Sequence, residues 1–353
     1  MNDKREQSVR GLEAGREPSG GGEVISVGFG VWRGYDSLTL SSSKYEALLI
    51  PSQGSNLVRL YDKERGLDIL RTPGQDEMEE FAVRPQVFGI PILFLPNRIK
   101  DGAFKFDGRE YSLKINEPES HSHIHGFAHQ RPWSVARAEA ARDRAVVETI
   151  FAAGRHTDFY SQFPHEFEIR MTYTLSDSGL TQEIKVTNLS GLPMPLAVGQ
   201  HTAFRASAGS LLRVGVGKRW ELDAVFLATG KLLALTDEDL RLAGQGIPPL
   251  EKPLAAHYTA SPFVYQAGAG PGREFHGAVL EDTRRRLTVV YETGRKYGHW
   301  VIWNENADRD FVCLEPQTCS INAANLKDTI PGTGFASIAP GETWAETTRV
   351  YAL

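Results

Sequence analysis

The chain has 353 residues, of which 41% are hydrophobic and 24% are charged, so its composition is that of a globular protein with enough apolar material for a large core. The formal net charge is −5 and the basic residues form no stripe, which argues against nucleic acid as a partner. Its two cysteines, Cys313 and Cys319, make no disulfide framework, and we interpret both as small buried hydrophobes.

The first 22 residues are polar, charged and rich in glycine. They contain no apolar stretch of the kind that a secretory signal needs, and such a segment buries too little surface to become ordered. We therefore predict a disordered tail over residues 1–22 and a single domain over residues 23–353. No segment reaches the apolar length of a membrane span, so we expect a cytoplasmic protein without membrane contact, either a monomer or a homodimer.

Short apolar runs between glycines and prolines predict strands along most of the chain. The clearest case is residues 163–175, where apolar residues share the odd positions, because period-two alternation is typical of a strand with one buried face. Further strands are predicted at 24–32, 37–40, 45–50, 56–61, 134–138, 145–151, 180–188, 196–204, 276–280, 286–291, 300–304, 311–315 and 344–351.

Two segments depart from the strand pattern. Residues 73–82 have a proline near the start and acidic residues after it, which predicts a short helix. Residues 237–262 are rich in acidic residues, proline and glycine, and are predicted to be a loop. No glycine-rich loop follows a strand and opens a helix, so the sequence has no nucleotide-binding fingerprint.

The segment from Phe88 to Trp133 has the pattern of a hairpin followed by a histidine cluster. Alternating residues flank Asp107-Gly108, and Asp-Gly tolerates the positive φ that tight hairpin turns need. Because turns recur at short spacing through the whole chain, we predict an all-β fold, a large antiparallel β-sandwich.

Three histidines, His121, His123 and His125, alternate along the chain, so on a strand they would share one face. Three imidazoles on one face can bind a metal, as in cupin-like sandwiches, but the residues that follow offer no carboxylate ligand. The alternative is that they are partly exposed loop histidines without a role, which fits His121 and His123 better than His125.

Three other residues could carry chemistry. Glu315 ends an apolar run just before a proline, so burial is expected to raise its pKa and suit it to acid–base catalysis, unless it forms a structural salt bridge. His201 lies in an apolar segment, where a core histidine with satisfied hydrogen bonds is the alternative to a catalytic one. Arg98 could bind a ligand or be structural.

Taken together, these pieces resemble the aldose 1-epimerase (galactose mutarotase-like) family. The matching segments occur in the family's order, and they are FGIPILFLPNRIKDG (88–102), HIHGF (123–127), FPHEFEIRMTYTLSDSGL (163–180), VTNLSGLPMPLAVGQHTAF (186–204), FVCLEPQT (311–318) and APGETWAETTRVYAL (339–353). The resemblance implies a β-supersandwich that acts on a monosaccharide as an isomerase of carbohydrate metabolism. It also implies that no cofactor and no metal is needed.

The resemblance also implies roles for individual residues. Glu315 matches the catalytic base and His201 the catalytic acid. His125 matches a histidine that assists at the ring oxygen. Arg98 and the adjacent Asn97 match the substrate-binding Asn-Arg pair.

Two further points concern substrate binding. Trp303 could stack on a sugar or be a core aromatic. The family's sugar-binding aspartate is missing, because Ala255 and Ala256 stand where it is expected, which leaves the preferred sugar open.

Other functions remain open at this point. An epimerase of a phosphorylated or otherwise modified hexose would need extra basic residues, for which Arg84, Arg131 and Arg205 are candidates. A non-catalytic carbohydrate-binding sandwich is a second alternative, but it predicts loss of the acid–base residues, and His125, His201 and Glu315 are all present. A metal-dependent cupin is the third.

Overall fold

The computed structural model describes residues 25–266 and 272–353 of the chain. Strands dominate these residues, and every ladder between named strands is antiparallel, so the all-β antiparallel prediction is confirmed. The predicted disordered tail, residues 1–22, lies outside the described residues.

The first part of the chain contributes seventeen strands and one α-helix. The strands are β1 (Ser26–Trp32), β2 (Tyr35–Ser41), β3 (Tyr45–Ile50), β4 (Asn56–Asp62), β5 (Leu67–Asp68), β6 (Ile92–Leu93), β7 (Arg98–Lys100), β8 (Ala103–Phe106), β9 (Arg109–Ser112), β10 (Ser122–Ile124), β11 (Ser134–Ala140), β12 (Ala145–Ala153), β13 (Phe167–Ser176), β14 (Gly179–Asn188), β15 (Met194–Leu196), β16 (Gly199–Gln200) and β17 (Thr202–Arg205). Helix α1 is Met78–Val83, and two 3₁₀ turns cover Pro85–Val87 and Pro118–Ser120.

The second part adds twelve strands and two short helices. The strands are β18 (Ser210–Val214), β19 (Val216–Leu222), β20 (Ala228–Leu233), β21 (Ala255–Ala260), β22 (Phe263–Tyr265), β23 (Arg273–Phe275), β24 (Gly277–Asp282), β25 (Leu287–Thr293), β26 (His299–Trp303), β27 (Phe311–Gln317), β28 (Ala336–Ile338) and β29 (Thr343–Ala352). The helices are α2 (Asp237–Gly244) and α3 (Ala323–Leu326). No helix among the described residues has the length and apolar character that crossing a membrane requires.

Three larger sheets organise the described strands. A five-stranded sheet runs β1-β2-β3-β4-β5, and an eight-stranded sheet runs β11-β12-β13-β14-β29-β25-β24-β18. The third sheet, which we call the cleft sheet, runs β20-β19-β21-β26-β27-β16-β6, with β17 also paired to β27. The predicted sandwich is visible where the last two sheets meet, because Tyr291 on β25 packs against Phe204 on β17 and Trp300 on β26.

The hairpin of β13 and β14 follows directly from its sequence pattern. Alternate residues of β13 are buried along its whole length, and its partner strand has the same alternation. The register runs without a bulge from Phe167 opposite Asn188 to Ser176 opposite Gly179. The predicted hairpin of β8 and β9 is also confirmed, with Asp107 and Gly108 at φ of 49° and 70° in its turn.

The predicted loop over residues 237–262 is wrong in two places. Its first residues form helix α2, because the Thr236 hydroxyl accepts from the Asp239 amide while the Asp239 carboxylate accepts from the Thr236 amide. Its last residues form β21, which pairs with β19 and β26 in the centre of the cleft sheet. Burial between two neighbouring strands outweighed the polar composition of the segment.

The prediction of one strand over residues 196–204 is also wrong, because the chain is divided into β15, β16 and β17. β16 pairs with β6 through Gly199 and Gln200 and with β27 at Gly199 alone, whereas β17 pairs with β27 along its whole length. His201 lies at the point where the pairing changes, and its amide donates to the Pro91 carbonyl at 3.1 Å. The helix predicted over 73–82 is real, but it begins later, at Met78.

Candidate active site

A cleft of about 570 Å³ opens over the cleft sheet. Six of its lining residues are those expected from the sequence to act on a sugar: Asn97, Arg98, His125, His201, Trp303 and Glu315. They come from five separate segments of the chain, so the fold itself brings them together.

Glu315 lies on β27, which is buried along its whole length. Its neighbour across the ladder is Val301 on β26, which also lines the cleft. Gln317, two residues further along the same face of the strand, donates from Nε2 to Glu315 Oε2 at 3.1 Å. One carboxylate oxygen is thereby held in place, and the other remains available for the cleft.

The available oxygen of Glu315 contacts His201. Glu315 Oε1 and His201 Nε2 are 3.3 Å apart, and both side chains are buried. The His201 Nδ1 atom has no hydrogen-bond partner among the described residues. A carboxyl group and an imidazole are thus in direct contact at the floor of an open cleft, an arrangement that suits proton transfer.

Burial shifts the two pKa values in opposite directions. It raises the pKa of Glu315 to about 8, although the Gln317 amide and the charge of Arg98 oppose the shift. It lowers the pKa of His201 to about 3. Between these values the pair therefore binds one proton, either as a neutral acid beside a neutral imidazole or, after transfer across 3.3 Å, as carboxylate and imidazolium.

His125 is held beside His201 by its main chain. Its φ is 65°, and its amide donates to the Asn97 carbonyl at 3.1 Å. Gly126 follows at a φ of 65°, where a Cβ atom would clash with the Phe94 carbonyl oxygen, so only glycine fits. The His125 and His201 rings meet edge to face with centroids 5.3 Å apart. Burial holds the pKa of His125 well below its ordinary value, so it is neutral at pH 7.

Arg98 and Asn97 line the cleft at the start of β7. The Arg98 guanidinium donates to both carboxylate oxygens of Glu117, from Nε at 2.6 Å and from Nη2 at 2.7 Å. Such a bidentate pair fixes the guanidinium plane, and its other N–H groups can still donate to a ligand. Asn97 is at a φ of 58°, and its Oδ1 accepts from the Arg98 amide.

Trp303, Ala255 and Ala256 all line the cleft. Trp303 packs edge to face on His201, with ring centroids 5.9 Å apart, and Ala255 is its neighbour across the ladder. Ala255 and Ala256 both line the cleft at the place where the sequence lacks the expected aspartate. No carboxylate substitutes for it on β21.

The three clustered histidines do not share one face of a strand, as their alternation had suggested. Strand β10 contains only His123, while His121 and His125 lie outside it with φ of 50° and 65°. His121 is exposed and pairs with Asp101, but His123 is buried and its Nδ1 contacts the Lys114 carbonyl, so a description of His123 as an exposed loop residue is also wrong. Within residues 25–266 and 272–353, no group of three or more His, Cys, Asp or Glu is arranged to hold a metal.

Three residues at the site were not predicted from the sequence: Glu117, Gln317 and Phe226. Gln317 is two positions from Glu315, so strand periodicity already places it on the same face. Glu117 precedes the histidine cluster, and no local pattern pairs it with Arg98. Phe226 lies in the turn that begins at Asp223, and this aspartate is the only local sign of the turn in the sequence.

Comparison with known proteins identifies the family and the fold of this chain. Residues 36–351 match the family model of aldose 1-epimerase. The solved galactose mutarotase-like protein of Clostridium acetobutylicum is 34% identical, with a TM-score of 0.89 over 94% of this chain and 99% of that protein. This likeness confirms the predicted galactose mutarotase-like fold.

Two curated relatives are galactose mutarotases. The protein of Pongo abelii is 30% identical over 200 residues, which are 56% of this chain and 52% of the relative. The protein of Homo sapiens is 28% identical over 194 residues, 54% of this chain and 50% of the relative. The matched region thus spans about half the length of these relatives, whereas the family model covers most of this chain. The chain therefore belongs to the aldose 1-epimerase family.

Proposed function

We propose that this protein is an aldose 1-epimerase, which interconverts the α and β anomers of an aldose by opening and closing the ring. The observation that carries the proposal is the 3.3 Å contact between buried Glu315 and His201 in an open cleft. Anomer exchange needs a base and an acid that act on neighbouring oxygens, and this pair supplies both from a single bound proton.

The reaction starts from the carboxylate and imidazolium form of the pair. Glu315 removes the proton from the C1 hydroxyl while His201 gives its proton to the ring oxygen, and the bond between C1 and that oxygen breaks. Rotation about the C1–C2 bond presents the other face of the aldehyde, and ring closure reverses both transfers. No electron is lost and no group is transferred, so the chemistry requires no redox cofactor.

His125 assists the acid. Its ring contacts His201 edge to face, and its low pKa keeps it neutral. It is therefore a hydrogen-bonding group for the ring oxygen or a neighbouring hydroxyl, and it adds no positive charge that would oppose the imidazolium of His201.

Arg98, Asn97 and Trp303 set the pose of the sugar. The Glu117 carboxylate holds the Arg98 guanidinium in one plane, so its remaining N–H groups can donate to hydroxyls at little entropic cost. Trp303, half-buried and next to His201, offers an apolar face to the C–H side of a pyranose.

The charges of the cleft favour an unphosphorylated sugar over the phosphorylated alternative. Arg84 is the one residue of the three arginine candidates among the cleft-lining residues, and it is paired with Glu80 and Glu305. Arg131 pairs instead with Asp158, away from the cleft. With Arg98 paired to Glu117, each described cleft arginine already has a carboxylate partner, so a phosphate dianion would lack an uncommitted cation.

Polarimetry tests the proposal. Freshly dissolved α-glucose or α-galactose should reach anomeric equilibrium faster with catalytic amounts of protein than without, and glucose 6-phosphate should gain less. If the spontaneous rates of all these aldoses stay unchanged while sugar binding is measurable, the protein is a non-catalytic binding sandwich. A rate gain confined to glucose 6-phosphate would favour the phosphosugar alternative.

A further inference from the structure

We propose that His129 is a positioning residue for the epimerase reaction, because it holds His125 in the orientation in which that residue assists His201. The inference rests on the proposed function and adds to it a residue that lies behind the cleft lining. Its basis is three contacts of His129: with the His125 carbonyl, with the His125 ring, and with the segment that joins β3 and β4.

His129 is a buried histidine that the mechanism has not used. It is 5% exposed and does not line the cleft, so it is not placed to touch a sugar bound there. Burial lowers its pKa to about 4, so the ring is neutral at pH 7. Its Nδ1 has no hydrogen-bond partner among the described residues, so the fold gains less from this histidine than from a fully bonded one.

The first contact acts on the main chain of His125. The φ of His125 is 65°, a left-handed conformation that residues other than glycine keep only where their surroundings hold them. Its amide donates to the Asn97 carbonyl at 3.1 Å, and its own carbonyl accepts a hydrogen bond from the His129 ring. The peptide groups on both sides of the His125 Cα are therefore held, which fixes the direction in which the imidazole leaves the main chain.

The second contact acts on the imidazole of His125. The rings of His129 and His125 meet edge to face, with centroids 5.9 Å apart and planes at 78°. The His125 ring meets the His201 ring in the same way at 5.3 Å. His125 is thus packed against a ring that takes no part in the chemistry as well as against one that does. Such support matters because a displacement of about 1 Å can lower a rate by roughly 10²-fold.

The third contact fixes His129 itself. His129 lies in a turn in which the Arg131 amide donates to the Ala128 carbonyl at 3.4 Å. The Gly54 amide donates to the Arg131 carbonyl at 2.9 Å, and a Cβ atom on Gly54 would lie 2.2 Å from the His129 carbonyl oxygen. Gly54 has a φ of 67° between β3 and β4, so only glycine permits this close approach. His129 is therefore anchored to the five-stranded sheet.

The test is a double-mutant cycle in which polarimetry measures mutarotation of the aldose that the wild type accelerates most. His129→Leu and His129→Phe both remove the N–H donor, and phenylalanine keeps an aromatic ring in the buried position. In both variants kcat should fall about 10-fold with KM changed less than about 2-fold, because the displaced group acts in the transition state. His129→Gln, which retains an N–H donor, should recover most of the rate.

The second arm of the cycle separates positioning from a general loss of structure. In the His125→Ala background the same changes at His129 should lower kcat no further, since the group that His129 positions is absent. A matched control is His165→Leu, because His165 is also buried and lies outside the cleft lining. It should leave kcat per folded molecule unchanged in both backgrounds.

Several results would refute the positioning role and leave the proposed function standing. These are near-normal kcat in His129→Leu and His129→Phe, equal falls in kcat with and without His125, and a His129→Gln variant as slow as His129→Leu. If neither His129→Leu nor His129→Phe folds, His129 serves the core and the inference is wrong. If the wild type accelerates no aldose, the proposed function fails and this inference fails with it.

Discussion

Two buried histidines show how a core residue differs from a residue at a site. His165 is surrounded by aromatic rings, and both of its nitrogens have partners, the Tyr111 hydroxyl at 2.8 Å and the Ser190 hydroxyl at 3.1 Å. His201 is buried to a similar degree, but its Nδ1 has no partner among the described residues and its Nε2 faces Glu315.

The two histidines differ in how many of their ring nitrogens have a hydrogen-bond partner. A satisfied buried histidine stabilises the fold, and a buried histidine with an open nitrogen costs stability. Burial lowers the pKa of both, to about 4 for His165 and about 3 for His201, so a pKa shift alone does not distinguish them. The open nitrogen and the contact with a carboxyl group do.

The largest effect is expected from Glu315→Gln. The amide keeps the size of the side chain but cannot accept the proton of the C1 hydroxyl, so kcat should fall about 10²–10⁴-fold. Galactose binding, measured by calorimetry, should change little. A variant with near-normal turnover would show that Glu315 is not the base.

The next largest effect on kcat is expected from a change at His201, and the same change at His165 should affect stability instead. His201→Gln should lower kcat by about 10²-fold or more because the ring oxygen loses its acid. His165→Gln should leave kcat per folded molecule unchanged but lower the free energy of unfolding by about 1–3 kcal/mol, since Tyr111 and Ser190 lose a partner. Polarimetry measures kcat and urea unfolding measures stability for both variants. Equal falls in kcat would contradict the assignment of His201 to the site and of His165 to the core.

A third prediction concerns the pH dependence of stability. The pKa of Glu315 is raised from 4.5 to about 8, so its stabilising contribution is fully present below pH 4.5 and is lost as the pH rises through 8. The lowered pKa of His201 acts in the opposite sense, but only below its ordinary value of 6.5. Between pH 6.5 and 8 the free energy of unfolding should therefore fall with a Glu315 contribution of up to about 1.4 kcal/mol per pH unit.

Glu315→Gln should remove that contribution. Urea unfolding at pH 6.5 and at pH 8 measures it, with Glu110→Gln as the control, because Glu110 is exposed and pairs with Lys105 on the surface. Parallel pH slopes in wild type and Glu315→Gln would mean that the Glu315 carboxyl is ionised throughout.

The smallest effect is expected from Gln317→Leu, which removes the amide that orients Glu315. Because the Gln317 amide lowers the pKa of Glu315, its loss should raise that pKa further. The rate should fall about 10-fold at pH 7, and the alkaline limb of the pH–rate profile should move to higher pH. A fall in rate without a shift of that limb would assign Gln317 a purely structural role.

Much of the fold could be read from local patterns. The period-two alternation of β13 and the Asp-Gly turn of the β8–β9 hairpin are properties of neighbouring residues, so they predict the structure before any long-range contact forms. Helix α2 could have been found in the same way, because Thr236 and Asp239 have the spacing of a capping box. The composition of the segment misled the prediction.

Other features depended on residues far apart in the chain. The break at His201 arises because β16 lies between β6 and β27 whereas β17 pairs with β27 along its whole length, and strand pairing is not a local property. The bond between Arg98 and Glu117 and the place of Ala255 beside Trp303 have the same origin. The order of the motifs alone indicated the family and assigned roles to Glu315 and His201. It did not give the distance between the two side chains.

Local sequence therefore specified which segments are strands and which residue types are available for acid–base chemistry, since alternation and turn residues act over a few positions. The tertiary structure decided the rest: the 3.3 Å contact of Glu315 with His201, their opposite pKa shifts, and the place of Ala255 beside Trp303 in the cleft. Burial and proximity arise only when distant strands pair, and these two quantities turn an ordinary glutamate and histidine into a pair that shares one proton.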